Sequence, residues 1–301
     1  MKKIIWLYYD GKKGHEKQSE AFLESLSKKI EIKIYKIKAL SVTKNLFYFF
    51  FRKFDKKKLL PKPDFLIGTG HKTHLNLLFD KKYYGGKTVV IMKPSLSLNF
   101  FDLCIIPSHD LSKNYKNTIA TFGPINNLRG ATNKNKNKGL ILLGGLSKHF
   151  EWCNNEVAEH ISNIIFENNS IDITIFNSRR TPKNFLNLLK RKLKKPIEII
   201  RYKEKDKDSD LITKKMQHTK YIWVTEDSLS MIYESIAVGS EVTCIKLKKK
   251  TNKLRNITNH LFEKKKINFF QEKNRKLNLN LSKQSVADEC TTLFIEFFNI
   301  K

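Results

Sequence analysis

Short apolar runs of strand length alternate with segments of helical spacing along nearly the whole chain, and this alternation limits the fold more than any other feature. Residues 4–8, Ile-Ile-Trp-Leu-Tyr, read as a buried strand, 11–14 as a glycine turn and 18–26 as a helix. Residues 30–37 alternate Ile with Lys or Glu, the pattern of a half-exposed strand. Further strands are predicted at 65–68, 88–92, 103–106 and, more weakly, 118–122. The stretch 131–138, Ala-Thr-Asn-Lys-Asn-Lys-Asn-Lys, holds no apolar residue after Ala131 and reads as a linker. Beyond it the alternation restarts, with strands at 139–143, 171–176, 221–224 and 242–247. Helices are predicted at about 156–166, from Pro182, at 231–238 and at 285–298. Repeated βα units on both sides of a linker predict two parallel-sheet α/β domains, 1–135 and 136–301, the last helix being free to return to the first. Such sheets bind ligands at the carboxyl ends of their strands, so a site between the domains is expected.

Charge narrows the partners less than it first promises. Lys and Arg number 58 against 29 Asp and Glu, a formal +29. Only 8 of the 58 are Arg, the residue that makes bidentate base contacts. The excess of Lys, with abundant Asn and Ile, fits an AT-rich genome. Affinity for anionic surfaces is expected, and no specific nucleic acid partner. Cys104, Cys153, Cys244 and Cys290 are too far apart for a CxxC motif and read as free thiols in a reducing compartment. The N-terminal apolar run stops at Asp10, short of a signal-peptide core, and no stretch reaches the roughly 18 apolar residues of a membrane span. A cytoplasmic protein is the expectation.

The loops after the strands carry the chemistry. Asp10-Gly11-Lys-Lys-Gly14-His15 follows the first strand and leads into a helix, where glycines let a ligand approach and a helix start favours an anion. Thr69, Gly70, His71 and His74 follow the third strand. The two histidines, three apart, would share a helical face, yet no third metal ligand is evident and a polar pocket wall is the better reading. Lys93 with Ser95, and His109, follow the next two strands. In the second half, Gly144-Gly145-Leu-Ser147 follows a strand, and Arg179-Arg180-Thr181 precedes a helix as a phosphate-binding pair would. Thr225-Glu-Asp227-Ser228-Leu-Ser230-Met231 leads to Glu234. Asp227 or Ser228 could simply cap that helix. Glu234, one turn in, could accept hydrogen bonds from ribose hydroxyls.

These segments resemble the elongated-mitochondria (mitochondrial fission protein) family of plants and bacteria. The matching residues are Asp10-Gly-x-x-Gly-His15 with Gln18, Gly68-Thr-Gly-His71-x-Thr-His74, Gly85-Gly-x-Thr-Val-Val-x-Met-Lys-Pro-Ser95 and Phe101-Asp-Leu-Cys-Ile-Ile-Pro-x-His-Asp110. They continue with Gly123-Pro-x-Asn126, Gly144-Gly145 with Ser147, Ser178-Arg-Arg-Thr-Pro182 and Val224-Thr-Glu-Asp-Ser-x-Ser-Met-Ile-Tyr-Glu234. Bacterial members are treated as glycosyltransferases. The resemblance implies a GT-B-like fold of two Rossmann-like domains facing across a cleft, the first binding an acceptor and the second a nucleotide-sugar. Gly144, Gly145 and Ser147 would then face the diphosphate, with Arg179, Arg180 and Thr181 nearby. Thr225, Asp227, Ser228, Ser230 and Met231 would line the donor, and Glu234 the ribose. Gly11, Gly14, Thr69, Gly70, His74, Lys93, Ser95, His109 and Asn126 would be acceptor-side. His15 is the first candidate for general base, then Asp10, then His71. Neither a metal nor a cofactor is implied beyond the nucleotide-sugar donor.

Residues 46–51, Leu-Phe-Tyr-Phe-Phe-Phe, precede Arg52, Lys53 and Lys56 to Lys58. This juxtaposition suits either a core helix with a basic end or an interfacial patch on the inner face of an anionic membrane, which would bring a lipid-linked or glycan acceptor within reach. Three other readings compete with the transferase. A scaffold or organelle-division factor would not need Glu234 or the paired arginines. A nucleic-acid reader lacks any helix-turn-helix, zinc or RNP motif. A nucleotide-sugar epimerase with GxGxxG and YxxxK finds only Asp10-Gly-x-x-Gly after its first strand.

Overall fold

The computed structural model describes residues 2–41, 56–113, 115–193, 195–202, 207–272, 274–279 and 282–300. The chain divides into two compact units, residues 1–127 with 284–301 and residues 128–283.

In the first unit, β1 (Lys3–Tyr9), β2 (Ile32–Lys38), β3 (Phe65–Thr69), β4 (Lys87–Ile91), β5 (Leu103–Pro107) and β6 (Thr118–Thr121) form one parallel sheet, ordered β2-β1-β3-β4-β5-β6. Helix α1 (Lys13–Ser27) joins β1 to β2, and α2 (His74–Tyr84) joins β3 to β4. Successive side chains on a strand point to opposite faces, so each strand feeds two cores. Ile5, Leu7, Phe65, Ile67, Val89 and Ile91 pack with Phe22 and Leu26 of α1. Trp6, Tyr8, Leu66, Val90 and Cys104 pack on the other face with Leu77 of α2. β2 is an edge strand covered only in part on either face: Ile32 packs against one core, Tyr35 and Ile37 against the other, and Ile34 is exposed.

The second unit contains β7 (Asn135–Leu143), β8 (Phe150–Glu151), α3 (Asn154–Glu167), β9 (Asp172–Asn177), α4 (Phe185–Lys192), β10 (Glu198–Ile200), α5 (Lys207–His218) and β11 (Thr219–Thr225). It continues with α6 (Leu229–Ala237), β12 (Glu241–Ile245), β13 (Lys248–Lys249), α7 (Asn252–Glu263) and β14 (Asn268–Phe269). Its parallel sheet is ordered β10-β9-β7-β11-β12-β14, and β8 and β13 form a separate antiparallel pair. The polar stretch 131–138 is not all linker. β7 begins at Asn135, and its first four residues are exposed, which is why hydrophobicity missed them.

The last helix, α8 (Val286–Phe297), belongs to the first unit. Ser285 and Asp288 form a reciprocal capping box, at 3.1 and 3.0 Å, that fixes its start. Ser25 of α1 donates to Asp288 (2.8 Å) and lies 2.9 Å from the Thr291 hydroxyl. The buried Phe294 ring packs edge-on to Phe22 (5.3 Å) and against Phe65 (5.0 Å). Phe294→Ala leaves a cavity among these rings and should cost about 3–5 kcal/mol, read as a lowered urea midpoint.

Candidate functional site

Sheet order decides where a ligand can enter. In the first sheet, successive helices diverge between β1 and β3. In the second, the order about β7 is that of a dinucleotide-binding sheet, and divergence falls between β7 and β11. The loops leaving these four strands carry most of the candidate residues.

After β1, Gly11 adopts φ +82° and turns the chain. The Asp10 side chain is fully buried, and its Oδ1 accepts the Lys12 N–H (3.0 Å). Its Oδ2 lies 2.9 Å from Nδ1 of His15, which remains 18% exposed. A carboxylate on Nδ1 favours the tautomer protonated there and leaves the Nε2 lone pair as the base. Gly70, after β3, has φ +84°, and a Cβ there would sit 2.4 Å from His15 Nδ1, so glycine is required for the ring to lie against the loop. Ser19 and Thr69 hydroxyls meet at 2.6 Å. Gln18, tied to the Gly14 carbonyl (3.3 Å), accepts the Ile125 N–H (3.3 Å) and so anchors the loop after β6. Asp10, His15, Ser19 and Thr69 border a pocket of about 200 Å³ together with Tyr9 and Glu16.

The other first-unit candidates separate. His71 is exposed on a single 3-10 turn, whereas His74, at the start of α2, is 2% exposed, so the two do not present a shared face. His74 Nδ1 lies 3.3 Å from the exposed Ser95 hydroxyl, and its Nε2 is buried with no hydrogen-bond partner among the described residues. Burial first, and the His71 charge second, push its pKa down to about 4. Lys93 donates to the Asp110 carbonyl (2.9 Å), and His109 lies 3.7 Å from the Asp110 carboxylate. The Asn126 carbonyl accepts the Ala287 N–H (3.1 Å), at the first turn of α8. No group of three or more His, Cys, Asp or Glu suited to a metal ion occurs among the described residues.

In the second unit, Gly144 N–H donates to the Thr225 hydroxyl (2.7 Å), and Gly145 N–H to Asp227 Oδ2 (2.9 Å). A Cβ on Gly144 would strike the Asp227 carboxylate, and one on Gly145 the backbone of Arg180. Thr181 and Ser178 hydroxyls both donate to the Gly144 carbonyl at 2.6 Å. Arg180 Nη1 pairs with the fully buried Asp227 carboxylate at 2.7 Å. Burial pushes the Asp227 pKa up, and the Arg180 charge opposes that shift. Arg179 is exposed. The helix α4 begins at Phe185, so the arginines precede it by a full turn rather than sitting at its start. Ser228 stands at the N-cap of α6, yet neither it nor Asp227 makes a side-chain cap bond. Ser147 accepts the His149 and Phe150 N–H groups (3.2 and 3.1 Å). Ser230 is exposed, and Met231 and Glu234 are half-buried on α6.

Two residues escaped the sequence reading. Glu226 is fully buried, 2.6 Å from Arg255 Nε, and accepts the Thr258 hydroxyl (2.7 Å). Burial raises its pKa, against the Thr258 bond and the Arg255 charge. Its partners lie on α7, whose pattern gave no local signal. Glu16 borders the first-unit pocket, and only its place one residue after His15 could have marked it.

A family model described as mitochondrial fission ELM1 matches residues 13–292. An uncharacterized protein of Rickettsia prowazekii (strain Madrid E) is 26% identical over 290 residues, covering 78% of this chain and 81% of that protein. The UDP-GlcNAc 2-epimerase of Methanocaldococcus jannaschii has a similar structure, with a TM-score of 0.61 at 13% identity, covering 98% of this chain and 100% of that one. The Neisseria meningitidis UDP-GlcNAc 2-epimerase bound to UDP-GlcNAc gives 0.59 at 12% identity, covering 100% of both chains. Phytolacca americana UGT2, complexed with UDP-2fluoro-glucose and pterostilbene, gives 0.54 at 9% identity, covering 97% of this chain and 90% of that one. At such identities the likeness is one of fold. It agrees with the two Rossmann-like, parallel-sheet units expected of a GT-B-like chain.

The buried His74 yields a pH prediction. Its folded pKa lies below the ordinary 6.5, so between pH 6.5 and about 4 the unfolded chain binds a proton that the native state refuses. This contribution is present above pH 6.5 and is lost as pH falls toward 4, about 3 kcal/mol in full. His74→Asn should flatten that part of the slope, measured by urea unfolding at neutral pH and near pH 4.

Proposed function

The chain belongs to the mitochondrial fission ELM1 family, and from that membership and the geometry above we propose that it is a glycosyltransferase moving a sugar from a nucleotide-sugar to an acceptor hydroxyl. The observation that carries this reading is the Asp10–His15 pair, a buried carboxylate holding one imidazole nitrogen at the rim of a pocket. His15 Nε2 takes the proton of the acceptor hydroxyl as its oxygen bonds to the sugar's anomeric carbon. The bond from that carbon to the diphosphate breaks, and the nucleoside diphosphate leaves with the electron pair. Asp10 stabilises the imidazolium so formed.

The donor is assigned to the second unit. Arg180, held by Asp227, keeps further guanidinium N–H groups for the diphosphate, and Arg179 adds charge beside it. Thr225 and Asp227 support this site indirectly, by fixing the Gly144-Gly145 loop. Glu234 takes the ribose hydroxyls. These groups supply the charge stabilisation without a metal. Uridine diphosphate is the first nucleotide to test, because solved structures of similar fold contain UDP or UDP-sugars.

A second reading has a specific support. UDP-GlcNAc 2-epimerases of similar fold span essentially the whole chain. Proton NMR of UDP-GlcNAc incubated with the protein separates the readings. With an acceptor hydroxyl supplied, a transferase releases UDP as the acceptor takes the sugar, whereas an epimerase needs no acceptor, leaves the sugar attached and changes its ring signals. A scaffold does neither.

UDP at a hundred times its dissociation constant should stabilise the chain by about 2.7 kcal/mol. Glu234→Gln should weaken that shift without lowering the unliganded melting point. His15→Asn should keep the shift and lose UDP release from UDP-sugars, by about 10²-fold or more. Equal UDP binding by Glu234→Gln would overturn the donor assignment.

The acceptor is proposed to be lipid-linked or a glycan at an anionic membrane surface. The aromatic run 46–51 and Arg52 and Lys53 lie outside the described residues. Lys57 is 2.5 Å from the buried Asp80, so its charge is committed within the fold. No helix among the described residues is long and apolar enough to cross a membrane. Sedimentation with anionic vesicles should show binding that weakens as salt rises. Indifference to such vesicles at low salt would favour a soluble acceptor.

A further inference from the structure

The pocket beside His15 has a charge opposite to that of the chain. Among 58 basic and 29 acidic residues, it gathers Asp10, Glu16 and Glu20 with a single lysine, Lys36. Two of the three carboxylates are engaged. Asp10 holds His15 at 2.9 Å, and Glu20 lies 3.4 Å from Lys36 Nζ. Glu16, half-buried on the first turn of α1, makes no ion pair among the described residues. It shares its face of the helix with Glu20, four residues on. Tyr9 adds a phenol ring, and Ser19 and Thr69 add two hydroxyls.

We infer that this pocket takes an acceptor carrying a protonated amine close to its reacting hydroxyl, an amino sugar in its simplest form, and that Glu16 reads the amine. The inference rests on the transferase reading and names the chemical class of its acceptor. A volume of about 200 Å³ suits one sugar ring rather than a long chain. An ammonium would meet the Glu16 carboxylate, which favours a cation. A carboxylate or phosphate at the same place would face Glu16 and Glu20. Hydroxyls of the ring would meet the Ser19–Thr69 pair. His15, one residue before Glu16 on the same helix, would stand at the neighbouring hydroxyl. Glu16 also sits where the helix dipole favours an acid, so loss of stability alone would not identify its role.

The test is binding of glucosamine, glucose and glucuronate to the full chain, followed by saturation-transfer NMR below the pKa of the amine. Glucosamine should bind about tenfold more tightly than glucose, and glucuronate most weakly. Glu16→Gln should erase the preference while retaining glucose binding, and Glu16→Asp should keep most of it. Equal binding of the three sugars, no binding by any of them, or a preference that survives in Glu16→Gln would each overturn the inference. Should Glu16→Gln fail to fold, salt decides, since a preference indifferent to ionic strength would also overturn it. UDP binding is measured alongside. If UDP binds and the sugars are not discriminated, this inference alone fails; if UDP does not bind, the transferase reading fails first.

Discussion

A parallel sheet cannot fill the space at its carboxyl edge where two neighbouring crossovers run to opposite faces, and this gap governs the molecule twice. In the first unit it lies between β1 and β3, and in the second between β7 and β11. The backbone leaving each strand must turn there, and its polar groups must be satisfied without a further strand. Each unit does so with a buried aspartate that reaches a glycine-bearing loop. Asp10 fixes His15 against Gly70, and Asp227 fixes Gly145 and Arg180.

Burying a carboxylate is unfavourable unless its bonds are made. Asp227 shows the balance: burial raises its pKa, and Arg180 and the Gly145 N–H oppose the shift. What the fold gains is placement. A histidine and an arginine, both on flexible stems, are each held by one rigid partner, which lowers the entropy lost when a ligand binds. The glycines follow from the same geometry, because side chains at 70, 144 or 145 would occupy the space these groups need.

The sequence made the layered α/β architecture legible because strands buried on both faces appear as unbroken apolar runs, as at 4–8, 65–67 and 103–106. The strand-end loops were legible because glycine turns, several histidines and the one Arg-Arg pair fall in them, although His160, His218 and His260 lie on helices. What could not be read was pairing across distance. Arg255 meets Glu226 from a helix with few apolar residues, of which Ile257 and Leu261 are buried. Short strands such as β10 and β14 owe their existence to neighbours rather than to their own pattern. Helix α1 begins at Lys13, five residues before the start predicted at Gln18, because its first turn is polar and borders the pocket. The division of labour between His71 and His74 was likewise hidden, since burial, not spacing, separates them.

The position of α8 has a consequence for synthesis. The second unit is inserted into the first, whose final helix is translated after it. On a ribosome, the opening strands emerge early, but the aromatic seat formed by Phe22 and Phe65 stays uncovered until Phe294 arrives. At ordinary elongation rates that wait is on the order of ten seconds or more. The first unit is therefore the one that matures second, and its exposed rings are a natural target for chaperones during that interval.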